Sequence, residues 1–97
     1  MDMTRDEFIK HIKENYRTDA DFDRQLSIAE HSDTDGGLIY EDDHIAVGKY
    51  FYSMQLENRN GEAEELRFCI YILYTKFYVT PDDYEFDSYV NIDYIIL

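Results

Sequence analysis

The apolar positions in the first third of the chain recur at helical spacing. Thr4 and Glu7 stand at the spacing of a capping box, and the apolar stripe that follows them predicts a helix over residues 5–16. A second, shorter stripe predicts a helix that ends near Glu30. The first stripe consists of Phe8, Ile9, Ile12 and Tyr16, and the second consists of Phe22, Leu26 and Ala29.

After Gly37 the apolar positions alternate with polar ones, which is the period of a β-strand. Two long segments rich in Tyr, Phe, Ile and Leu, at residues 47–57 and 64–79, flank the dipeptide Asn60-Gly61. Because Asn-Gly favours the positive φ angles of a tight hairpin turn, the two segments are predicted to pair antiparallel. A third alternating segment follows a turn at Pro81.

These elements predict an α+β fold in a single domain over residues 1–97. Two N-terminal helices are expected to pack on one face of a three- or four-stranded antiparallel sheet. The number of strands stays open because residues 38–47 fit either two short strands around a turn or the start of one longer strand. The chain of 97 residues is too short for a catalytic domain plus an accessory domain.

A hairpin loop of two or four residues sorts the strand side chains into the same two faces. One face then carries Val47, Phe51, Phe68 and Ile70. The other carries Tyr50, Tyr52, Met54 and Tyr71. Since the helices cover one face, we predict that the tyrosine-rich face is exposed and forms a contact surface or a homodimer face. In the last strand, the even-numbered residues from Phe86 to Ile96 are predicted to form a buried face. The odd-numbered residues from Glu85 to Asp93 are predicted to form a solvated polar face, which Tyr89 interrupts.

The chain carries 22 acidic and 9 basic residues, a net charge of −13. The excess lies in two segments: residues 18–43 hold nine acidic residues and one basic residue, and residues 82–97 hold five acidic residues and no basic one. Direct binding of nucleic acid or anionic lipid is not expected, because phosphate affinity depends on Lys and Arg. The charge instead favours a positively charged protein partner, although solvated faces that only keep the protein soluble would have the same composition.

No motif for catalysis or metal binding emerges from the sequence. Cys69 is the one cysteine, which excludes an intramolecular disulfide and a multi-thiolate metal site. Residues 31–36 with Asp42 approach a calcium-loop pattern but depart from it at His31 and Asp42. We therefore expect no cofactor, no metal and no enzymatic activity. The chain has no apolar run of membrane-spanning length and no basic, apolar leader, so a cytoplasmic location is expected.

The acidic residues that distinguish this chain are Asp33, Asp35, Glu41, Asp42, Asp43, Asp82, Asp83, Glu85, Asp87 and Asp93. In size, acidity and lack of disulfides the chain resembles phage-encoded inhibitors of host nucleic-acid enzymes, such as anti-CRISPR and anti-restriction proteins and uracil-glycosylase inhibitors. The resemblance implies a stoichiometric inhibitor in the bacterial host cytoplasm that mimics DNA or RNA in the groove of a defence nuclease, above all a CRISPR effector. Together with Tyr50, Tyr52 and Tyr89, these acidic residues form the predicted partner-binding set.

Two other interpretations fit the same pattern. Immunity proteins that neutralise bacterial nuclease toxins look similar, because they too present carboxylates to a cationic site. A dimeric interaction module that does not mimic nucleic acid would associate through the tyrosine-rich face or through the apolar residues 95–97.

Overall fold

The computed structural model describes residues 2–31 and 35–97. The fold is α+β, with two N-terminal helices and a six-stranded antiparallel sheet that curls strongly into a half-barrel. The elements in chain order are β1 (Asp2–Met3), α1 (Arg5–Asn15), β2 (Tyr16–Arg17), α2 (Phe22–Glu30), β3 (Gly36–Glu41), β4 (Ile45–Asn58), β5 (Ala63–Thr80) and β6 (Asp83–Ile96).

Both predicted helices are confirmed. The Thr4 hydroxyl accepts a hydrogen bond from the backbone N–H of Glu7, and the Glu7 carboxylate accepts one from the N–H of Thr4, each at 3.2 Å. This reciprocal capping box satisfies two N–H groups that a helix start leaves without partners. Phe8 and Ile12 on α1 are fully buried, so the apolar stripe faces the core as predicted.

The sheet has more strands than the three or four predicted. Its order is β1-β6-β5-β4-β2, and β3 pairs with another part of β4. The difference arises because β1 and β2 are only two residues long, too short to produce an alternating pattern, and because a turn at residues 42–44 separates β3 from β4. Since β1 pairs with β6 and β2 pairs with β4, α1 connects the two sides of the sheet and lies across its concave surface.

The hairpin between β4 and β5 has a three-residue loop, Arg59 to Gly61. It is closed by a hydrogen bond of 2.8 Å from the N–H of Asn58 to the carbonyl of Glu62. Gly61 alone in this loop has a positive φ, at 86°, which is typical of a three-residue loop that ends in a left-handed residue. The strands therefore pair one residue away from the register that a two- or four-residue loop gives. A shift of one residue moves every side chain to the opposite face.

As a result, the prediction of an exposed Tyr50, Tyr52, Met54 and Tyr71 face is wrong. We call the side that packs against α1 and α2 the helix face. Tyr52 and Met54 lie on it, each only 8% exposed, opposite Phe68 and Leu66 of β5. Tyr50 is half-buried on the same face. Tyr71 lies on the other side, the open face, in line with Lys49 of β4 and Asp93 of β6.

The predicted buried face of β6 is also wrong for most of the strand. Tyr94 is fully buried, but Phe86 and Val90 are exposed. Bulges at Asp87 and Ile92 each insert one residue and reverse the alternation.

The helices are also much shorter than the sheet. The 18 residues of β5 span about 60 Å as a strand, whereas the 11 residues of α1 span about 16 Å. The helices therefore cover only one end of the β5–β6 hairpin.

A partly buried ionic network joins α1, α2 and β6. The Glu30 carboxylate, whose side chain is 6% exposed, accepts two parallel hydrogen bonds from Arg5, at 3.0 and 3.1 Å. It also accepts hydrogen bonds from the Tyr94 hydroxyl and from the Asn91 amide. Burial raises the pKa of Glu30, but these donors outweigh it and hold the pKa below its ordinary value.

Candidate protein-interaction site

The fold brings parts of the two acidic segments together at the end of the sheet that the helices leave uncovered. Residues 41–43, in the turn after β3, lie beside residues 82–87 of the β5–β6 hairpin. We call these two stretches the acidic tip. In residues 40–45 and 76–87, all of them described, seven side chains are acidic and one, Lys76, is basic. Seven of the 14 acidic residues in the two segments thus lie at this one end of the molecule.

Lys76 holds the two halves of the tip together. Its ammonium group lies 3.0 Å from the Glu41 carboxylate and donates a hydrogen bond of 2.7 Å to the carbonyl of Asp42. It also stands over the Tyr84 ring, 4.1 Å from the ring centre. The Lys76 side chain is only 4% exposed, so its positive charge is engaged by groups of the protein and is hidden from a partner. The tip consequently presents almost purely negative charge to the outside.

Two of the predicted carboxylates have structural partners. Asp42 accepts hydrogen bonds from the N–H groups of His44 and Ile45, at 2.8 and 2.9 Å, and from the Tyr40 hydroxyl. These donors lower the pKa of Asp42 to about 2. Hydrogen bonds from Lys76 and Tyr84 likewise lower the pKa of Glu41. Asp42 and Glu41 therefore use part of their hydrogen-bonding capacity to shape the tip.

The remaining five carboxylates of the tip are exposed. Within the described part of the chain, none of them has a hydrogen-bond or ion-pair partner. They are Asp43, Asp82, Asp83, Glu85 and Asp87. The bulge at Asp87 interrupts the alternation of β6, so Glu85, Asp87 and Asp93 do not form one row along the strand. Asp82 and Asp83 lie at the turn of the hairpin, Glu85 and Asp87 follow along β6, and Asp43 lies in the turn between β3 and β4.

Aromatic side chains continue from the core onto the uncovered part of the helix face. Ring-to-ring distances between successive members are 4.8 to 6.3 Å, so the rings form a continuous surface. We call this surface the aromatic floor, and it consists of Tyr74, Tyr78, Tyr84, Phe86 and Tyr89. The last four are between 37% and 58% exposed. Such amphipathic rings are enriched at protein interfaces.

Sequence reasoning identified only Tyr89 of this floor. Phe86 was predicted to be buried, and Tyr78 and Tyr84 had no predicted role. The available signal was length: the two long predicted strands are about two to three times as long as the first predicted helix, so part of the sheet had to remain uncovered.

The other predicted site residues lie away from the tip. Asp35 lies at the opposite end of β3, where its carbonyl accepts a hydrogen bond from the N–H of Phe51. Asp93 pairs with Tyr71 on the open face. Tyr50 is half-buried against Tyr74, whose hydroxyl donates to it at 3.2 Å. Tyr52 belongs to the core. Asp33 lies outside the described residues.

Residues 2–31 and 35–97 contain no group of three or more His, Cys, Asp or Glu side chains placed to hold a metal ion. The calcium-loop pattern at residues 31–36 includes Ser32, Asp33 and Thr34, which are outside this range. No helix in the described ranges has the length and apolar character needed to cross a membrane.

Charge and exposed rings therefore converge at one end of the molecule. Comparisons of the chain with protein-family models, with curated proteins and with solved structures found no match.

Proposed function

We propose that the protein is a stoichiometric, non-enzymatic inhibitor that occupies the nucleic-acid-binding groove of a bacterial defence nuclease, above all a CRISPR effector. In this proposal the acidic tip takes the place of the DNA or RNA backbone. The observation that supports it is the convergence of residues 41–43 and 82–87 at one exposed end, next to the aromatic floor.

The chemistry of the tip suits a groove that binds nucleic acid. Such grooves hold phosphates with Lys and Arg side chains, and carboxylates form charge-assisted hydrogen bonds with the same groups. Arg also stacks on aromatic rings. Within the chain, Lys76 makes both kinds of contact, since its ammonium group lies beside the Glu41 carboxylate and over the Tyr84 ring. The five free carboxylates and the exposed rings offer similar contacts to a partner.

The shape of the molecule also supports insertion into a cleft. Its principal extents are 56, 24 and 22 Å. The tip lies at the end of the long β5–β6 hairpin, where four strands at most are present and neither helix adds thickness. A narrow, negatively charged end is the shape that a positively charged groove can accept.

The test is inhibition of purified nucleases by a charge-reversed variant. The variant carries Asp83→Lys, Glu85→Lys and Asp87→Lys. The matched control carries Asp6→Lys, Asp23→Lys and Glu62→Lys, which are exposed residues outside the tip with the same total change in charge. Both are titrated, beside the unmodified protein, into a panel of CRISPR effector–guide RNA complexes and bacterial nuclease toxins, and DNA cleavage is measured.

We expect the unmodified protein to stop cleavage by a CRISPR effector at a ratio near one to one and to compete with target DNA. The tip variant should lose inhibition, while the control keeps most of it. Equal losses in the two variants would reject the role of the tip. Inhibition of a toxin with no effect on any effector would support an immunity protein in place of an anti-CRISPR protein.

A further inference from the structure

The open face of the sheet carries an uncovered patch across β4, β5 and β6. Two rows of directly opposed residues form it. Lys49, Tyr71 and Asp93 make one row, and Val47, Leu73 and Val90 make the next. Both helices pack on the helix face, and no other element of the described residues covers the patch. Val90 is 53% exposed. The patch therefore offers apolar and aromatic surface to a partner.

The charge of this patch differs from that of the rest of the molecule. Lys49 and Asp93 are its only charged residues, so the patch is neutral in a chain with a net charge of −13. The Lys49 ammonium lies over the rings of Phe51 and Tyr71, at 5.5 and 5.4 Å from their centres. Within residues 2–31 and 35–97, neither Lys49 nor Asp93 has an ion-pair partner. Two opposite charges in one row are thus both left unpaired.

We propose that two copies of the chain associate through this patch, with a two-fold axis that runs along β5. Lys49 and Asp93 lie on the strands on either side of β5, each about 4.8 Å from it. Rotation about β5 therefore places Lys49 of each copy opposite Asp93 of the other. The same rotation places Val47 opposite Val90 of the second copy and brings the two Leu73 side chains together. This single arrangement pairs each charged residue with its opposite and each apolar residue with another apolar residue.

Charge favours a second copy at this face over other occupants. Copies of a chain with this net charge repel each other, and a neutral surface is where they approach at least cost. The two unpaired charges are complementary under the two-fold rotation, as an isologous interface requires. Because the sheet curls away from its open face, contact is confined to the central rows. The axis along β5 leaves both acidic tips exposed at the same end of the dimer, where their like charges repel. The apolar rows and the two Lys49–Asp93 pairs therefore have to outweigh this repulsion.

The test is sedimentation velocity over a series of concentrations, with charge-reversed variants. The unmodified chain should form a dimer. Lys49→Asp places two carboxylates opposite each other, and Asp93→Lys places two ammonium groups opposite each other, so each variant alone should dimerise at least about tenfold more weakly. An equimolar mixture of the two variants should recover the dimer, because each charge then meets its opposite. The double variant should recover it as well.

A second pair of variants separates the interface from folding. Val90→Glu adds a charge to the patch at a position exposed on an edge strand, and Ile28→Glu adds one to α2 at a position exposed to a similar degree, 58%. Circular dichroism verifies that both are folded. Only Val90→Glu should weaken the dimer. A monomer at every concentration, single reversals that dimerise normally, or a mixture that stays monomeric would each overturn the proposal.

Discussion

The Lys76 ammonium group and the Glu41 carboxylate, 3.0 Å apart, join the turn that carries one acidic segment to the hairpin that carries the other. The pair is supported by backbone contact, since the N–H of Lys76 donates to the carbonyl of His44 at 3.0 Å. The acidic tip is therefore assembled by the one basic residue in it. Removing that residue is expected to separate the two halves of the tip without unfolding the core.

Lys76→Met tests this arrangement, because Met keeps an apolar stem and removes the charge. We expect faster amide hydrogen exchange at position 76 and at Asp42, whose N–H groups donate to the carbonyls of His44 and Ile45. Exchange at Phe68 in the core should not change. Lys10→Gln, which breaks an exposed pair of 4.0 Å with Glu14, is the control and should leave the tip unaffected. Unchanged exchange at Asp42 in Lys76→Met would show that Lys76 does not hold the turn.

Glu30→Ala should destabilise the protein by roughly 2–4 kcal/mol, because it leaves Arg5 without its partner and removes the acceptor of buried donors on Tyr94 and Asn91. The free energy of unfolding is measured by urea denaturation. Glu14→Ala is the control, since that side chain is 61% exposed, and its effect should stay within about 0.5 kcal/mol. Similar losses in both variants would mean that the network contributes little to stability.

The same network predicts a loss of stability in acid. The pKa of Glu30 is lower in the folded chain than its ordinary value of 4.5, so the folded state binds fewer protons than the unfolded state. The stabilisation by ionised Glu30 is thus complete above that value and is lost as the pH falls through the lower, folded pKa. Denaturation of Glu30→Gln should show a weaker dependence on pH below about 5 than the unmodified protein. Parallel curves for the two proteins would contradict the assignment.

Gly61→Ala should cost roughly 1–2 kcal/mol, because the φ of 86° at this position is unfavourable for any residue with a Cβ. Space is not the cause: a Cβ at residue 61 would meet its nearest neighbour, a Glu57 carboxylate oxygen, at 3.5 Å. Gly37→Ala is the control, since a Cβ there meets nothing within 4 Å. Equal midpoints of urea unfolding for the two variants would show that the loop does not require glycine.

Local signals in the sequence were sufficient to predict the helices. The Thr4 capping box and the stripe from Phe8 to Ile12 act over a few residues, and the structure confirms both. The faces of the sheet depend on one count, the number of residues in the loop after Asn58. Nothing in the Asn-Gly dipeptide distinguishes two loop residues from three, so the predicted register was one residue away from the observed one.

The charge of the candidate site could be predicted from the sequence, but the spatial arrangement of its residues could not. Composition located the acidic excess in residues 18–43 and 82–97. It did not show that Lys76 joins Glu41 to the hairpin, because the contact depends on pairing between distant parts of the chain. It also did not show which carboxylates are already engaged. Asp42 and Glu41 have local donors that only a folded backbone reveals.

The bulges at Asp87 and Ile92 have a consequence for how the protein behaves at high concentration. From Asp83 to Asp93, β6 is an edge strand, with no neighbouring strand on its outer side among the described residues. A flat edge strand rich in Tyr, Phe and Val is a template on which amyloid fibrils can grow. Two irregular positions in this stretch disturb the ladder that a stacked copy would need, and its carboxylates repel such a copy. We therefore expect the carboxylates that β6 contributes to the tip also to keep this long strand from aggregating.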